Sequence, residues 1–208
     1  MKTMLALPCM HTVDSMHHGD VICMLLEIGD LREYSAAITE ATLIQDARNV
    51  FAKHAVENQF DRILWLDSDM RFQKDMVMQM HADMDKGLDM VSAIYTSRKP
   101  PIKPLIYSDI GYRDEDGQTI PYAVNMETWP KNQLFEVKAV GFGACMTSVK
   151  MVGALLDKYG MPFACAPGFG EDMSFCMRAT ESGYKIWIDP TITVGHVGKH
   201  TYTTGDIE

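Results

Sequence analysis

Residues 63–70 read ILWLDSDM: Ile63, Leu64, Trp65 and Leu66 run straight into two aspartates, Asp67 and Asp69, separated by Ser68. The four apolar residues have strand character. Alternate residues of a strand point to the same side, so Asp67 and Asp69 are expected to converge at the C-terminal end of a buried strand. In an open parallel sheet that end faces the ligand crevice. Two carboxylates there repel each other unless a cation or strong donors compensate. A hard divalent ion with oxygen ligands, Mn²⁺ or Mg²⁺, meets that demand. The plainer alternative is a turn of solvated aspartates after a buried strand.

Around this segment, strands and helices alternate. Thr3–Leu7 reads as a strand and Asp14–Ile28 as a helix, with Asp14 or Ser15 as N-cap. Arg32–Ala36 is a second strand. Leu43, Ala47, Val50, Phe51 and Ala55 have helical spacing over Thr42–Asn58. Asp61–Asp67 is the strand that carries the aspartates, Lys74–Lys86 a helix closed by Gly87, and Asp89–Tyr95 a further strand. This order predicts an α/β fold whose mostly parallel sheet is sandwiched by helices.

Beyond Tyr95 the pattern changes. Lys99-Pro100-Pro101 breaks the chain, and Leu105–Tyr112 is again strand-like. A turn at Asp114-Glu115-Asp116-Gly117 predicts a hairpin over Gly111–Met126, a small antiparallel addition. Phe135–Thr147 reads as one strand, Val149–Tyr159 and Glu171–Ser182 as helices, and Lys185–Asp189 and Thr191–Val197 as short strands. A flexible tail is expected over 199–208. One domain is predicted over 1–208, with a change of pattern dividing it into the halves 1–98 and 99–198.

Bulk properties narrow the classes. A chain of 208 residues, 47% hydrophobic and 23% charged, is long enough to bury a core and is not composed like a disordered one. The net charge of −9 weighs against a broad polyanion-binding face, so a nucleic-acid partner is not favoured, although a local basic cleft stays open. Five cysteines are an odd number without a CxxC pair, which points away from a disulfide framework or zinc cluster and toward a cytoplasmic protein. The opening MKTMLALPC has too short an apolar run for a signal sequence, and no stretch approaches the ~18–20 apolar residues that span a bilayer.

Two further segments bear on the aspartates. GFGEDMSFCMRATESGYKIWIDP (168–190) places Glu171 and Asp172 at the start of a helix, where the dipole favours carboxylates; a simple cap is the plainer account. TITVGHVGK (191–199) ends a strand at His196 between glycines, with room for a ligand to approach. LDSD, then GFGACM, then GED followed by Phe175 and Arg178, then Gly183 and DP…GH, together resemble the GT-A fold glycosyltransferases, in particular family-2-like enzymes of bacteria and phages.

That resemblance implies specific roles. Asp67 and Asp69, with Ser68 between them, match the DxD motif that holds the divalent ion and the donor's ribose and diphosphate, Asp69 being the more direct ligand. His196 matches a C-terminal histidine that completes the metal site. Asp172, with Glu171 beside it, matches the general base. Pro8 and Cys9 lie where the nucleotide base rests. ARN (47–49), hence Arg48, and YTSR (95–98), hence Arg98, match donor-pocket segments, and Lys199 or His200 would reach the phosphates. The expected activity is metal-dependent transfer of a sugar from a nucleoside diphosphate sugar, UDP rather than GDP, to an acceptor hydroxyl with inversion. No QxxRW-like signature of processive enzymes is present. The alternatives are a non-catalytic GT-A-like nucleotide- or sugar-binding module, a nucleotidyltransferase, or a haloacid-dehalogenase-type phosphatase, whose motif would continue differently from Met70-Arg71.

Overall fold

The computed structural model describes residues 1–9, 13–31, 33–39, 43–98, 100–198 and 201–204. The strands are β1 (Thr3–Pro8), β2 (Tyr34–Thr39), β3 (Arg62–Leu66), β4 (Met70–Phe72), β5 (Met90–Ile94), β6 (Ile106–Glu115), β7 (Gln118–Asn125), β8 (Phe135–Val137), β9 (Ala139–Val140), β10 (Ala144–Ser148), β11 (Ile186–Val197) and β12 (Thr201–Tyr202). The helices are α1 (Ser15–Ile28), α2 (Ile44–Glu57), α3 (Met76–Met84), α4 (Val149–Tyr159) and α5 (Glu171–Glu181).

The central sheet runs β12-β11-β5-β10-β3-β1-β2, with β4 and β8 also paired to β11. Strands β2, β1 and β3 are mutually parallel, as are β5 and β11. β10 lies antiparallel between β3 and β5. The predicted mostly parallel α/β sheet is therefore present, with β10 antiparallel inside it and β4, β8 and β12 antiparallel against β11. β10 comes from the second half of the chain, so the two expected halves share a single sheet. The chain moves from β1 to β2 on one side and returns to β3 on the other. The crevice beyond the C-terminal ends of β1 and β3 is thus the topological switch point, where ligands of open α/β sheets bind.

Local chemistry explains the boundaries. Asp14 caps α1 by accepting from the Met16 and His17 amides at 2.8 and 3.1 Å, and Gly29 at φ 71° ends it. Ser148 caps α4 through the Met151 amide at 3.1 Å. Asp116 and Gly117, at φ 53° and 79°, make the tight turn between β6 and β7. The left-handed conformation at both positions suits the twist of a two-residue hairpin. With β9 this hairpin forms a separate three-stranded sheet.

Two apolar layers cover the sheet. One surrounds Trp65, whose indole packs against Phe142 and Phe163 at centroid distances of 5.8 and 5.1 Å, with Phe175 stacked on Phe163 at 4.4 Å. Such aromatic pairs contribute about 0.5–1.5 kcal/mol each beyond burial. The other layer is methionine-rich, with Met70 and Met146 of the sheet buried together with Met76 and Met80 of α3.

Several expectations change. The strand expected over Phe135–Thr147 is divided into β8, β9 and β10, because the chain turns from one sheet to the other at Lys138 and at Gly141–Gly143. The two strands expected around Pro190 are one irregular strand, β11, whose register with β5 shifts between Ile188 and Thr193. Thr201 and Tyr202 pair with Val197 and His196, so that part of the expected tail is structured. The short strand β4 was not foreseen: three residues immediately after a turn have too little length to show a period. Among the described residues no helix is long and apolar enough to cross a membrane.

Candidate functional site

The aspartate segment leaves the sheet before its first carboxylate. β3 ends at Leu66, and residues 67–70 form a turn in which the Met70 amide donates to the Asp67 carbonyl at 3.2 Å. Convergence of the two aspartates by strand alternation is therefore replaced by a turn that sends them to different partners. Its backbone is held from three sides. The Asp67 amide donates to the Gly143 carbonyl at 3.0 Å, the Asp14 amide to the Ser68 carbonyl at 3.2 Å, and the Val197 amide to the Asp69 carbonyl at 2.8 Å. β10, α1 and β11 thus fix the loop before any ligand arrives.

Asp67 is committed to Arg48. Arg48, carried by α2, has a side chain 2% exposed that donates to Asp67 Oδ1 at 2.8 Å. Its Nε stands 3.5 Å from Glu171 Oε1, and its guanidinium lies 5.3 Å from the centre of the Phe142 ring. Burial works against the Arg48 charge, yet Asp67 and Glu171 outweigh it and hold the pKa above the ordinary value. Burial raises the Asp67 pKa, opposed by Arg48 and reinforced by Asp69 and Glu171. Among the described residues, Nε of Arg48 has only the 3.5 Å ion pair with Glu171 and Nη1 has no hydrogen-bond partner.

Asp69 has a different environment. Its Oδ2 is 2.5 Å from Arg98 Nη1 and 3.6 Å from His196 Nε2. Burial pushes this carboxyl up, but the hydrogen bond and charge of His196 and the charge of Arg98 bring it below its ordinary value. His196 Nδ1 is 2.8 Å from the Thr96 carbonyl, which can only accept, so Nδ1 carries a proton. Nε2 is the ring atom that faces the Asp69 carboxylate. Tyr95 supports the imidazole edge-on at 5.3 Å and accepts from the Gly143 amide at 2.9 Å.

Of the three residues predicted as ligands, Asp69 and His196 stand within 3.6 Å of each other, while Asp67 is paired with Arg48. Arg48 takes Asp67 because a buried guanidinium needs a counterion. Among the described residues no three of His, Cys, Asp and Glu are grouped to hold a metal ion.

Glu171 and Asp172 open α5, whose N-cap Gly170 offers no side chain. Asp172 Oδ1 accepts from the Met173 amide at 2.7 Å. Burial first, and then the charge of Glu171, raise the Asp172 pKa to about 6, against the pull of Met173 and Arg48. Such a carboxyl changes protonation near neutral pH. The loop before α5 is braced by Arg178, which donates to the Pro162 and Ala164 carbonyls at 2.8 and 2.6 Å, and by Asn49, which accepts from the Phe163 amide at 3.0 Å.

Of the other predicted residues, Pro8 ends β1 and Cys9 follows it, with the Cys9 amide donating to the Thr39 carbonyl at 3.1 Å. Both lie at the same sheet end as the aspartates. Ser68 reaches the end of an apolar cavity of about 350 Å³ between α1 and strands β1 and β2, which none of the site carboxylates lines. Lys199 and His200 lie outside the described residues. Sequence reasoning named the ARN and YTSR segments but not the bond from Asn49 to the Phe163 amide, the Thr96 carbonyl that orients His196, or the pairing of Arg48 with both acidic motifs. A buried arginine inside an apolar helix face was the one signal available.

No family model matches the chain, and no curated protein matches it. Among solved structures, the crystal structure of A197 from STIV is similar, with a TM-score of 0.65 and 17% identity over 95% of this chain and 86% of that one. At that identity the likeness shows the mixed α/β fold alone.

Proposed function

We propose that the chain is a GT-A type glycosyltransferase that moves a sugar from a nucleoside diphosphate sugar, UDP being the favoured nucleotide, to an acceptor hydroxyl with inversion. The observation that carries this is Arg48, whose single buried guanidinium joins Asp67 of the DSD turn to Glu171 of the GED segment. It ties the two acidic motifs together near the switch point, which supports reading Asp69 and Asp172 as serving one space.

The donor set fits a hard divalent cation that arrives with a diphosphate. Such ions keep water and phosphate oxygens and take only one or two protein carboxylates. Asp69 and His196 would hold it, with the imidazole fixed from behind by Thr96 as ligating histidines are. When bound, the ion neutralises charge developing on the leaving diphosphate. Arg98, on the rim against Asp69, adds a guanidinium to the same oxygens. Asp172, ionised above pH about 6, accepts the proton of the acceptor hydroxyl. The acceptor oxygen bonds to the anomeric carbon as the bond from that carbon to the diphosphate oxygen breaks. Glu171 remains paired with Arg48 and raises the basicity of Asp172.

Incubation with a panel of UDP- and GDP-sugars and Mn²⁺, measuring free nucleoside diphosphate, tests the proposal. Release abolished by EDTA, restored by Mn²⁺ and lowered about 10²- to 10⁴-fold in Asp172→Asn is expected. Release at the wild-type rate by Asp172→Asn would remove the base, and no release from any donor would remove the function.

A further inference from the structure

We propose that the acceptor is a neutral oligosaccharide, held on Trp129 in a groove beside the transfer centre; this rests on the glycosyltransferase reading above. A groove of about 310 Å³ opens between the β7–β8 connection and the outer side of β11, near the low end of the ~300–1,000 Å³ typical of small-molecule sites. It lies where β11 is irregular, between the residues that pair with β8 (186–188) and those that pair with β4 (194–196).

Trp129 is half-buried and packs against the Trp65 core layer. The exposed Lys131 lies over the indole, its Nζ 3.8 Å from the ring centroid. An aromatic ring anchored on the core and covered by a solvent-exposed lysine suits the apolar C–H face of a pyranose, which displaces the lysine at little cost. The other lining groups choose among ligands. Among the described residues that line it, Glu127 and Lys131 carry opposite charges, which leaves no excess positive charge to hold a second phosphate. Together with the Thr193 hydroxyl they supply both donors and acceptors, as a polyhydroxylated ligand requires and an acyl chain does not.

Position supplies the link to catalysis. Thr193 is the register partner of Ile94, and both line the groove. Three residues beyond Thr193 stands His196, and two beyond Ile94 stands Thr96, which holds the His196 ring. At ~3.3 Å per residue the groove is roughly 7–10 Å from the transfer centre, one or two sugar units. A saccharide seated on Trp129 therefore lies within one or two sugar units of His196.

Neutral di- to tetrasaccharides built on glucose, galactose, mannose and N-acetylglucosamine are titrated into the full chain without donor, following tryptophan fluorescence. Saturable quenching by at least one of them, lost in Trp129→Ala and reduced in Trp129→Phe, is expected. With that saccharide as acceptor, Trp129→Ala raises its KM about 10-fold or more, while kcat and hydrolysis of the donor by water stay unchanged. No quenching by any saccharide in a wild-type chain that hydrolyses nucleotide sugars would overturn this inference and leave the transferase reading standing. Saccharide binding at Trp129 in a chain that hydrolyses no nucleotide sugar would overturn the acceptor role and the transferase together. A tenfold fall in donor hydrolysis in Trp129→Ala would also overturn it, by showing that the ring serves the donor.

Discussion

Replacing Asp172 by asparagine should make the protein more stable at neutral pH while removing its activity. The carboxyl has a pKa near 6 in the fold against 3.8 ordinarily. Folding therefore binds a proton between those values, and stability falls as pH rises from ~4 to ~6. Above ~6 the carboxylate is ionised in both states, and the penalty is constant. A displacement of about two pKa units corresponds to ~3 kcal/mol, and the carboxylate's partial exposure reduces the expected figure to ~1–2 kcal/mol. Asparagine keeps an oxygen for the Met173 amide and carries no charge, so it escapes the penalty. For a chain of this size the gain is a Tm increase of ~2–8 °C at pH 7.5. Urea unfolding of both proteins at pH 4 and pH 7.5 measures it, with equal m-values required for the comparison. The expected difference is near zero at pH 4 and ~1–2 kcal/mol in favour of the variant at pH 7.5. A variant less stable than wild type at pH 7.5, or one displaced equally at both pH values, would refute the reasoning.

The same carboxyl sets the pH profile: kcat/KM for transfer should rise through an apparent pKa near 6 and level off above it, with that limb absent in Asp172→Asn. Arg48→Met leaves Asp67 and Glu171 without their shared counterion, so a loss of ~3–5 kcal/mol in urea unfolding is expected at pH 7.5, shrinking as the pH falls and Asp67, whose pKa burial raises, takes up a proton. Arg48→Lys should recover only part of it, because an ammonium cannot span both partners as the guanidinium does. Gly143→Ala would place a methyl 2.8 Å from Tyr95 Cζ and 2.9 Å from Met70 Sδ, a clash expected to lower stability by ~1–3 kcal/mol and, through the Gly143–Asp67 hydrogen bond, to weaken nucleotide binding measured by calorimetry.

Much of the fold was legible because its elements announce themselves locally. Asp14 before an apolar run and Gly29 after it mark α1, and Asp-Gly at 116–117 marks the hairpin. The insertion of β10 between β3 and β5 was not legible, since strand order in a sheet is a long-range property that periodicity does not carry. For the site, the sequence placed Asp67, Asp69, Glu171, Asp172 and His196 at the ends of elements. It carried no information on which carboxylate would meet which cation. Arg48 sits on the buried face of α2, and only the packing of α2 against the sheet and α5 shows that it separates Asp67 from Asp69 chemically.

Calorimetric titration of UDP into the chain, with and without Mn²⁺, addresses the central claim that Asp69 and His196 bind the cation a diphosphate brings. The account predicts binding that strengthens at least 10-fold with Mn²⁺ in the wild type and loses that Mn²⁺ dependence in Asp69→Asn and His196→Ala, with both variants folded by circular dichroism. UDP binding that is indifferent to Mn²⁺, or a Mn²⁺ dependence that survives both substitutions, would contradict it.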